Sequence, residues 1–490
     1  MPSPQEDQPN RSRPSTPQQI WRRFCRFMGK VFYRRFEVSG VENVPAEGPL
    51  ILCGNHVNAL VDAVVIQGAS PRPIHPIARS GLFRNPVLRP ILAFIQAVPI
   101  YRRPKDPEAQ AAGDNEASFR RCFEYLGEGR VILIFPEGQS HSDPSLRPLK
   151  TGAARLALGH RERTGESATV LPVGLTFTAK GRFRGSVLVQ FGEPVPFEPV
   201  EDEEREEAVR RYTDAIDRGL KRVTLNVDSW EDLALLRSMQ QFFALRRRRD
   251  QRTTLARRFR SFQRLIDAHR ALRSAWPDRV EGLRLRLQKF HQLCSRYGVR
   301  DYQLGLRYTP GVVARFVVRT LLFVLLVVPP ALCGLLGSAL PYLATRAASR
   351  RFARGRDQYD TAGMMFGLLF FGLFWGAQTA FVAWRWGAWP AAALYGLSLP
   401  LTAAVALKVG YERHRIREEI RVFLLFMRRR ELQGYLRERR ADLEAELARM
   451  ARLAKEAKGR MAAGMARTQI QGRGGQGEAA PGQSWSRRRR

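Results

Sequence analysis

The chain has 490 residues, enough for two or three domains, and 44% of them are hydrophobic, which excludes a wholly disordered chain. The charge is unusual, because 81 Lys and Arg residues face only 46 Asp and Glu residues and give a formal net charge of +35. A surplus of this size favours contact with a polyanion, either nucleic acid or an anionic membrane surface. The five cysteines have no paired spacing, which argues against a disulfide framework or a zinc site and fits a reducing compartment.

The N-terminal segment is polar and rich in proline, and residues 1–19 are expected to form a disordered tail without the apolar run of a secretory signal peptide. In residues 20–36, apolar and aromatic side chains recur at helical spacing with Arg and Lys between them. This pattern predicts a basic amphipathic helix. The helix could lie in a membrane interface or pack on its own domain, and both could hold for one helix.

Residues 37–225 alternate short apolar runs with helical patterns, which predicts an α/β domain with a mixed sheet flanked by helices. The predicted strands are residues 49–54, 130–135, 170–177 and 187–191. The second of these runs is unbroken in its apolar character, which is typical of a central strand.

The remainder of the chain is predicted to be helical. A charged helical region at 226–310 precedes a membrane region at 311–410, and a charged helix at 411–466 and a disordered basic tail at 467–490 follow. The membrane region contains three apolar runs, residues 320–344, 361–383 and 388–407, each about as long as the ~20 residues that cross a bilayer. Three such runs so close together disfavour the alternative of core helices in a soluble protein.

The order of crossings is harder to predict. Arg-rich segments follow the first and the last apolar run, and the positive-inside tendency places both on the cytoplasmic side. We expect the α/β domain on the same side. Three simple crossings cannot place the α/β domain and both Arg-rich segments on the same side of the membrane. Pro329, Pro330, Gly334 and Gly337 lie in the middle of the first run, where a helix would break. We therefore expect a re-entrant hairpin at 320–344 followed by a two-helix hairpin, with three full crossings as the alternative.

Two residues near the first predicted strand carry possible chemistry. His56 follows that strand, and Asp62 follows six residues later in the next predicted helix. A carboxylate beside a histidine holds the imidazole orientation and stabilises the imidazolium formed during general base catalysis. A six-residue step does not fall on one helix face, so His56 is expected in the turn before the helix, with Asp62 reaching back. Alone, the pair is a weak signal.

A second motif, Phe-Pro-Glu-Gly-Gln-Ser at 135–140, directly follows the predicted central strand. Backbone N–H groups become available where a strand ends in a Gly-containing turn, and phosphate and oxyanion sites commonly form there. A simple strand-to-helix turn would use the same Pro136 and Gly138.

Together, these motifs resemble the phospholipid/glycerol acyltransferase superfamily, the PlsC-like membrane acyltransferases. That family has a His–Asp motif, a block with Arg, a Phe-Pro-Glu-Gly block and a Pro-containing strand, and residues 56–62, 98–103, 135–138 and 170–174 match them in order. Five residues separate His56 from Asp62 instead of the more common four, and Gln139-Ser140 stands where many members have Arg. Both departures match the fungal-type glycerol-3-phosphate/dihydroxyacetone-phosphate acyltransferases and their bacterial relatives, a branch with a C-terminal membrane region.

The resemblance implies a reaction. His56 would take the proton of an acceptor hydroxyl, and the alkoxide would attack the thioester of an acyl-CoA or acyl carrier protein, with no cofactor, no metal and no acyl-enzyme. The acceptor would be glycerol 3-phosphate or dihydroxyacetone phosphate, with lysophosphatidate as the alternative. The phosphate ligands implied are Arg102, Arg103, Glu137, Gly138, Ser140, Lys150 and Arg79. Arg suits a phosphate because its planar fork donates two parallel hydrogen bonds. His141 is a possible further contact, more often a bystander.

Other classes of protein fit less well. A nucleic-acid-binding protein would explain the charge, but its basic residues should cluster on one module, and anionic membrane lipids are the simpler partner. The seven histidines are dispersed, unlike the ligands of a zinc hydrolase, and the sequence has no G-x-S-x-G elbow of a serine hydrolase. A non-catalytic membrane scaffold that retains an acyltransferase fold is the remaining alternative, and intact His56, Asp62, Glu137 and Gly138 argue against it.

Overall fold

A computed structural model describes residues 16–86, 88–101, 115–180, 183–198, 200–246, 253–305, 310–353, 355 and 358–474. These residues fall into two compact units. The first contains the described residues up to 230, together with 253–259 and the described part of 314–413, and the second contains the rest. Most of the two predicted disordered tails lies outside the described residues.

The first unit is built on a seven-stranded mixed sheet, as the alternating pattern predicts. Its strand order is β1-β7-β6-β2-β5-β3-β4, and every pair is parallel except β6 with β7. The strands are β1 Arg35–Ser39, β2 Leu50–Gly54, β3 Ile74–Arg79, β4 Val98–Ile100, β5 Val131–Ile134, β6 Thr169–Phe177 and β7 Ser186–Phe191. The strand predicted to be central, β5, is an interior strand between β2 and β3.

Helices cover both faces of this sheet. They are α1 Thr16–Phe32, α2 Ala59–Ala69, α3 Leu88–Phe94, α4 Glu116–Gly127, α5 Gly152–Thr164 and α6 Arg205–Val223. Alternate strand residues point to opposite faces, so Leu50 and Leu52 pack with α1 and α2, and Ile51 and Cys53 pack with α4, α5 and α6. The sheet is therefore buried on both faces.

The first unit departs from the predicted boundaries at its start. The amphipathic helix ends at Phe32 and β1 begins at Arg35, so the helix predicted to reach residue 36 is too long. The charges around residue 35 continue the helical pattern, but Arg35 pairs in register with Ser186 of β7. Pairing with a distant strand is a tertiary interaction that overrides the local pattern. The structure confirms that α1 packs on its own domain, since Met28 and Phe32 are buried in the core. Ile20 and Phe27 are exposed, and contact of α1 with a membrane interface stays a prediction.

Three long apolar helices follow: α11 Pro310–Phe352, α12 Tyr359–Trp386 and α13 Trp389–Arg428. Each is long and apolar enough to cross a membrane. Their apolar side chains are largely exposed, and Trp384, Trp386 and Trp389 lie exposed where α12 ends and α13 begins. Aromatic rings at such a helix end are typical of a membrane interface.

The break predicted at Pro329-Pro330 is wrong. α11 continues through both prolines and through Pro341, so residues 320–344 form no re-entrant hairpin. A proline removes one backbone hydrogen bond, and membrane helices tolerate it, because abandoning the helix would leave more backbone groups unpaired. Each of the three helices is long enough to cross a bilayer, and the order of crossings stays a prediction.

The second unit is helical, as its charged pattern predicts. Its helices are α7 Trp230–Arg246, most of α8 Leu255–Ala275, α9 Pro277–Tyr297, α10 Asp301–Leu304 and α14 Arg430–Gly474. The predicted charged helix at 411–466 is two helices, because α13 ends at Arg428, and α14 extends beyond the predicted end. On α9 the buried residues recur at helical spacing, and α9 packs against α14.

Candidate active site

The two sequence motifs meet at one edge of the sheet. β2 and β5 are adjacent and parallel, and Cys53 pairs with Ile134 at their last shared position. The residues that follow each strand therefore emerge side by side at the carboxyl ends, where open α/β sheets commonly bind ligands. This adjacency brings His56 and Glu137, which are 81 positions apart, into direct contact.

His56 lies in the turn between β2 and α2, as the six-residue spacing predicts. Its Nδ1 lies 2.9 Å from Oδ2 of Asp62, and the backbone N–H groups of Val57 and Asn58 donate to the same oxygen, each at 2.7 Å. Asp62 is completely buried in the first turn of α2, where the positive end of the helix dipole favours a carboxylate. The arrangement suits an imidazole with its proton on Nδ1. Nε2 then remains as the nitrogen available to a substrate.

The backbone of His56 is held on both sides by the second motif. Its N–H donates to Oε1 of Glu137 at 2.7 Å, and its carbonyl accepts from the N–H of His141 at 3.1 Å. The imidazole stacks on the ring of Phe135, with centroids 4.2 Å apart. Asp62 and Phe135 thus hold the imidazole ring of His56. Glu137 and His141 hold its backbone.

The side chain of Glu137 is completely buried, and both of its carboxylate oxygens form hydrogen bonds within the protein. Oε2 contacts Nε2 of His141 and accepts the N–H of Arg147 at 3.0 Å. Since Nδ1 of His141 accepts from the N–H of Asp143 at 3.1 Å, a neutral His141 carries its proton on Nε2 and donates it to Glu137. The sequence suggested Glu137 as a phosphate ligand and His141 as a bystander. The observed contacts make the two residues partners that hold the His56 turn.

Ser140 is also engaged within the protein. Its hydroxyl oxygen accepts the N–H of Ala59 at 3.1 Å, at the first residue of α2. Ala59 has a φ of 47°, in the left-handed region that costs a non-glycine residue energy. Ser140 therefore stabilises the strained start of α2, which carries Asp62.

Gly138 and Lys150 lie together. Gly138 has a φ of 73°, and a Cβ placed on it would lie 2.8 Å from Cε of Lys150. The N–H of Lys150 donates to the carbonyl of Pro136 at 2.8 Å, which returns the chain to the turn after β5. The side chain of Lys150 is exposed and lies over Gly138, so its ammonium group is accessible to a phosphate at this edge.

The arginines of the predicted site are described only in part. Arg79 is the last residue of β3, is exposed, and pairs in register with Ile100, the last residue of β4. It therefore stands at the same carboxyl edge as His56. Arg102 and Arg103 follow β4 and lie outside the described residues.

Two asparagines make contacts that the sequence motifs do not reveal. The side chain of Asn55 forms a pair of hydrogen bonds with the backbone of Leu175 in β6, at 2.6 and 3.2 Å, and ties the turn to the sheet. Asn58 is completely buried, and its amide nitrogen donates to Oδ2 of Asp360 at 2.7 Å. In the sequence, each of them is simply a short polar residue close to His56.

Cys53 lies three residues before His56. Burial raises the pKa of the Cys53 thiol, at the end of β2, to about 12, so Cys53 stays protonated and is a poor nucleophile. In the described part of the chain, no group of three or more His, Cys, Asp or Glu residues could hold a metal ion.

Comparison with known proteins identifies this domain. The sequence model of the Acyltransferase family matches residues 35–176. Glycerol-3-phosphate O-acyltransferase 1 of Saccharomyces cerevisiae is 32% identical over 137 residues, which are 26% of this chain and 18% of the yeast protein. The 1-acyl-sn-glycerol-3-phosphate acyltransferase of Borreliella burgdorferi is 31% identical over 138 residues, which are 28% of this chain and 50% of that protein.

A solved structure is also similar in part. The crystal structure of the 1-acyl-sn-glycerophosphate acyltransferase PlsC from Thermotoga maritima aligns with 42% of this chain and 80% of its own, with 22% identity and a TM-score of 0.31. The chain spans about a fifth of the yeast relative and half of the Borreliella relative. The family match covers β1 to β6 and contains His56, Asp62 and Glu137. Residues 35–176 of this chain therefore form a domain of the Acyltransferase family.

Proposed function

We propose that this protein is a membrane-bound O-acyltransferase that transfers a fatty acyl group from acyl-CoA or acyl carrier protein to glycerol 3-phosphate or dihydroxyacetone phosphate. The observation that carries the proposal is the buried Asp62 carboxylate on Nδ1 of His56, at the carboxyl edge of an acyltransferase-family sheet. The relative named for glycerol-3-phosphate acylation supports the choice of acceptor.

The geometry supports His56 as the general base. Nε2 takes the proton of the acceptor hydroxyl as the alkoxide oxygen forms a bond to the thioester carbonyl carbon. Asp62 stabilises the imidazolium that results, because its oxygen already accepts from Nδ1. When the carbonyl reforms, the C–S bond breaks, the thiolate takes the proton from Nε2, and the ester is released. The imidazole returns to its starting state.

The acceptor phosphate would bind the cations at the same edge. Lys150 lies over Gly138 of the Phe-Pro-Glu-Gly turn, and Arg79 is the last residue of β3. Arg102 and Arg103 remain proposed ligands. Glu137 and Ser140, whose oxygens bind His56 and Ala59, are assigned to positioning and not to the phosphate.

Lysophosphatidate is the second candidate acceptor, favoured by the relative named as a 1-acyl-sn-glycerol-3-phosphate acyltransferase. An assay of the full chain with labelled acyl-CoA and each of the three acceptors separates the candidates. We expect the fastest transfer to glycerol 3-phosphate or dihydroxyacetone phosphate. Faster transfer to lysophosphatidate would reverse the order, and no transfer to any acceptor from acyl-CoA or acyl carrier protein would contradict the proposed function.

The protein would be integral to the membrane, with the catalytic domain on the cytoplasmic side and its basic surface against anionic lipids. The exposed apolar side chains of α11, α12 and α13 support this proposal. We expect the full chain to stay in the membrane pellet after an alkaline carbonate wash, which removes peripheral proteins, and to be released by detergent. Release by carbonate alone would contradict an integral attachment.

A further inference from the structure

The start of the apolar helix α12 is packed into the acyltransferase domain. Met364 belongs to the buried core that α1 and α2 form with the sheet, and Gly363 lies against the ring of Phe32. Asp360 is in the first turn of α12 and is only 1% exposed. A carboxylate buried to this extent needs partners, because an isolated buried charge is costly.

One partner of Asp360 belongs to the His56 turn. The amide nitrogen of Asn58 donates to Oδ2 of Asp360 at 2.7 Å, and the hydroxyl of Thr361 lies 3.4 Å from the carbonyl of Asn58. The phenol of Tyr33 lies 3.5 Å from the same amide nitrogen. Burial, and then the negative charges of Asp360 and Asp62, raise the pKa of Tyr33, which agrees with both carboxylates lying near one phenol.

Asn58 is also bonded to the catalytic carboxylate. Its backbone N–H donates to Oδ2 of Asp62, the oxygen that contacts His56. A continuous set of hydrogen bonds therefore runs from Asp360 through Asn58 to Asp62 and His56. Asn58 is thus held at two points, and the side-chain bond to Asp360 restricts the movement of the backbone N–H that donates to Asp62. Small misplacements of a catalytic group are costly in rate.

We infer that Asp360 is a positioning residue for the His56–Asp62 pair, acting through Asn58, and that α12 is thereby part of the acyl-transfer site. The inference rests on the proposed function. It differs from the simpler role of an acidic residue at a helix N-terminus, which would stabilise α12 alone. Asp278 provides a matched control, because it lies in the first turn of α9 and is exposed.

The test compares Asp360→Ala, Asp360→Asn and the controls Asp278→Ala and Asp278→Asn in the full chain, with kcat and KM measured for glycerol 3-phosphate. We expect Asp360→Ala to lower kcat about tenfold with KM changed by less than about twofold. Asp360→Asn should recover most of kcat, because an amide oxygen can still accept from Asn58. The Asp278 variants should match the wild type.

Wild-type kcat in Asp360→Ala would overturn the inference, as would equal impairment of the alanine and asparagine variants. If Asp360→Ala does not accumulate as folded protein, Asn58→Ala removes the same hydrogen bond from its other end, and an unchanged kcat in that variant would overturn the inference equally.

Hydrogen exchange separates this inference from the proposed function. Asp360→Ala should raise amide exchange in the peptide spanning residues 55–62 by at least about fivefold, because the N–H groups of Val57 and Asn58 are protected by Asp62. The Asp278 variants should leave it unchanged. A wild-type protein that transfers no acyl group would refute the proposed function. Unchanged amide exchange in Asp360→Ala would refute the inference that Asp360 orders the turn, whether or not the wild type is active.

Discussion

Among single residues, Asp62 contacts both the ring of His56 and the backbone of the turn that holds it. One of its oxygens accepts from the His56 ring and from two backbone N–H groups, so the same atom shapes the turn and orients the base. The carboxylate is fully buried, which strengthens its electrostatic effect on an imidazolium. Loss of its charge should therefore affect the reaction more than the fold.

Asp62→Asn tests this separation. An asparagine oxygen can still accept from the backbone, but the neutral side chain stabilises an imidazolium poorly and can favour the wrong tautomer. We expect kcat to fall by about 10³-fold or more, while the protein still accumulates in membranes. The measurement is acyl transfer to glycerol 3-phosphate at matched protein level. Activity within about tenfold of the wild type would contradict the assigned role of Asp62.

His75 should control part of the pH dependence of stability. Burial, and next the positive charge of Arg130, lower the pKa of His75 to about 4. The unfolded chain binds a proton at about pH 6.5, whereas the folded chain does not until about pH 4. Because the unfolded state binds more protons in this window, stability should fall as the pH is lowered from about 6.5 to about 4, by up to about 1.4 kcal/mol per pH unit.

His75→Gln removes this titration while its amide can still donate to the carbonyl of Ile95, which Nδ1 of His75 contacts at 3.2 Å. The difference in thermal midpoint between about pH 7.5 and about pH 5, measured in detergent, should be smaller in the variant than in the wild type. His414→Gln is the control, since His414 is exposed on α13. Equal pH dependence in His75→Gln and the wild type would refute the assignment.

The positions and roles of the site residues could be predicted from the sequence to different extents. The place of His56 in the turn before α2 was predictable, because its six-residue spacing to Asp62 does not fall on one helix face. The roles of Glu137, Ser140 and His141 were not, because they depend on two strand ends, 81 positions apart, lying side by side. Asp360 and Asn58 are 302 positions apart, and no local pattern links them.

Among the elements, the membrane helices are joined by polar contacts as well as by apolar packing. The side-chain amide of Gln378 in α12 donates to the carbonyl of Gly337 in α11 at 3.0 Å and accepts from the hydroxyl of Tyr395 in α13 at 3.1 Å. Small residues allow close approach, since a Cβ on Gly334 would overlap the carbonyl of Thr402.

Gln378→Leu should loosen these three helices. We expect the free energy of unfolding in detergent to fall by about 1 kcal/mol, with little change in kcat. Tyr395→Phe should lower the free energy of unfolding by a smaller amount. The double variant Gln378→Leu/Tyr395→Phe should be no less stable than Gln378→Leu alone, because that substitution already removes the hydrogen bond between the two side chains. Additive losses would show that the two side chains act independently, contrary to the observed contact.

Strands and helices were predictable to the extent that their patterns are local. The four strands with apolar runs were predicted within a few residues. β3 was not, because Pro76 lies inside it, and β4 has only three residues, which form no pattern. In α11 the prolines indicated a break, but a helix that must satisfy its backbone in lipid continues past them.

At the scale of the whole molecule, the acyltransferase domain and the first residues of α12 share one core. The buried set on one face of the sheet includes Met364 together with residues of α1 and α2. The second of the three apolar helices therefore contributes to the packing around the His56 turn.

The central claim is that His56 is the base of an acyl transfer. His56→Ala should abolish transfer of labelled acyl groups from acyl-CoA to glycerol 3-phosphate, with an expected loss of at least about 10³-fold at an unchanged protein level. His414→Ala, which alters an exposed histidine, should retain wild-type activity. Substantial transfer by the His56→Ala protein, within about tenfold of the wild type, would contradict the account.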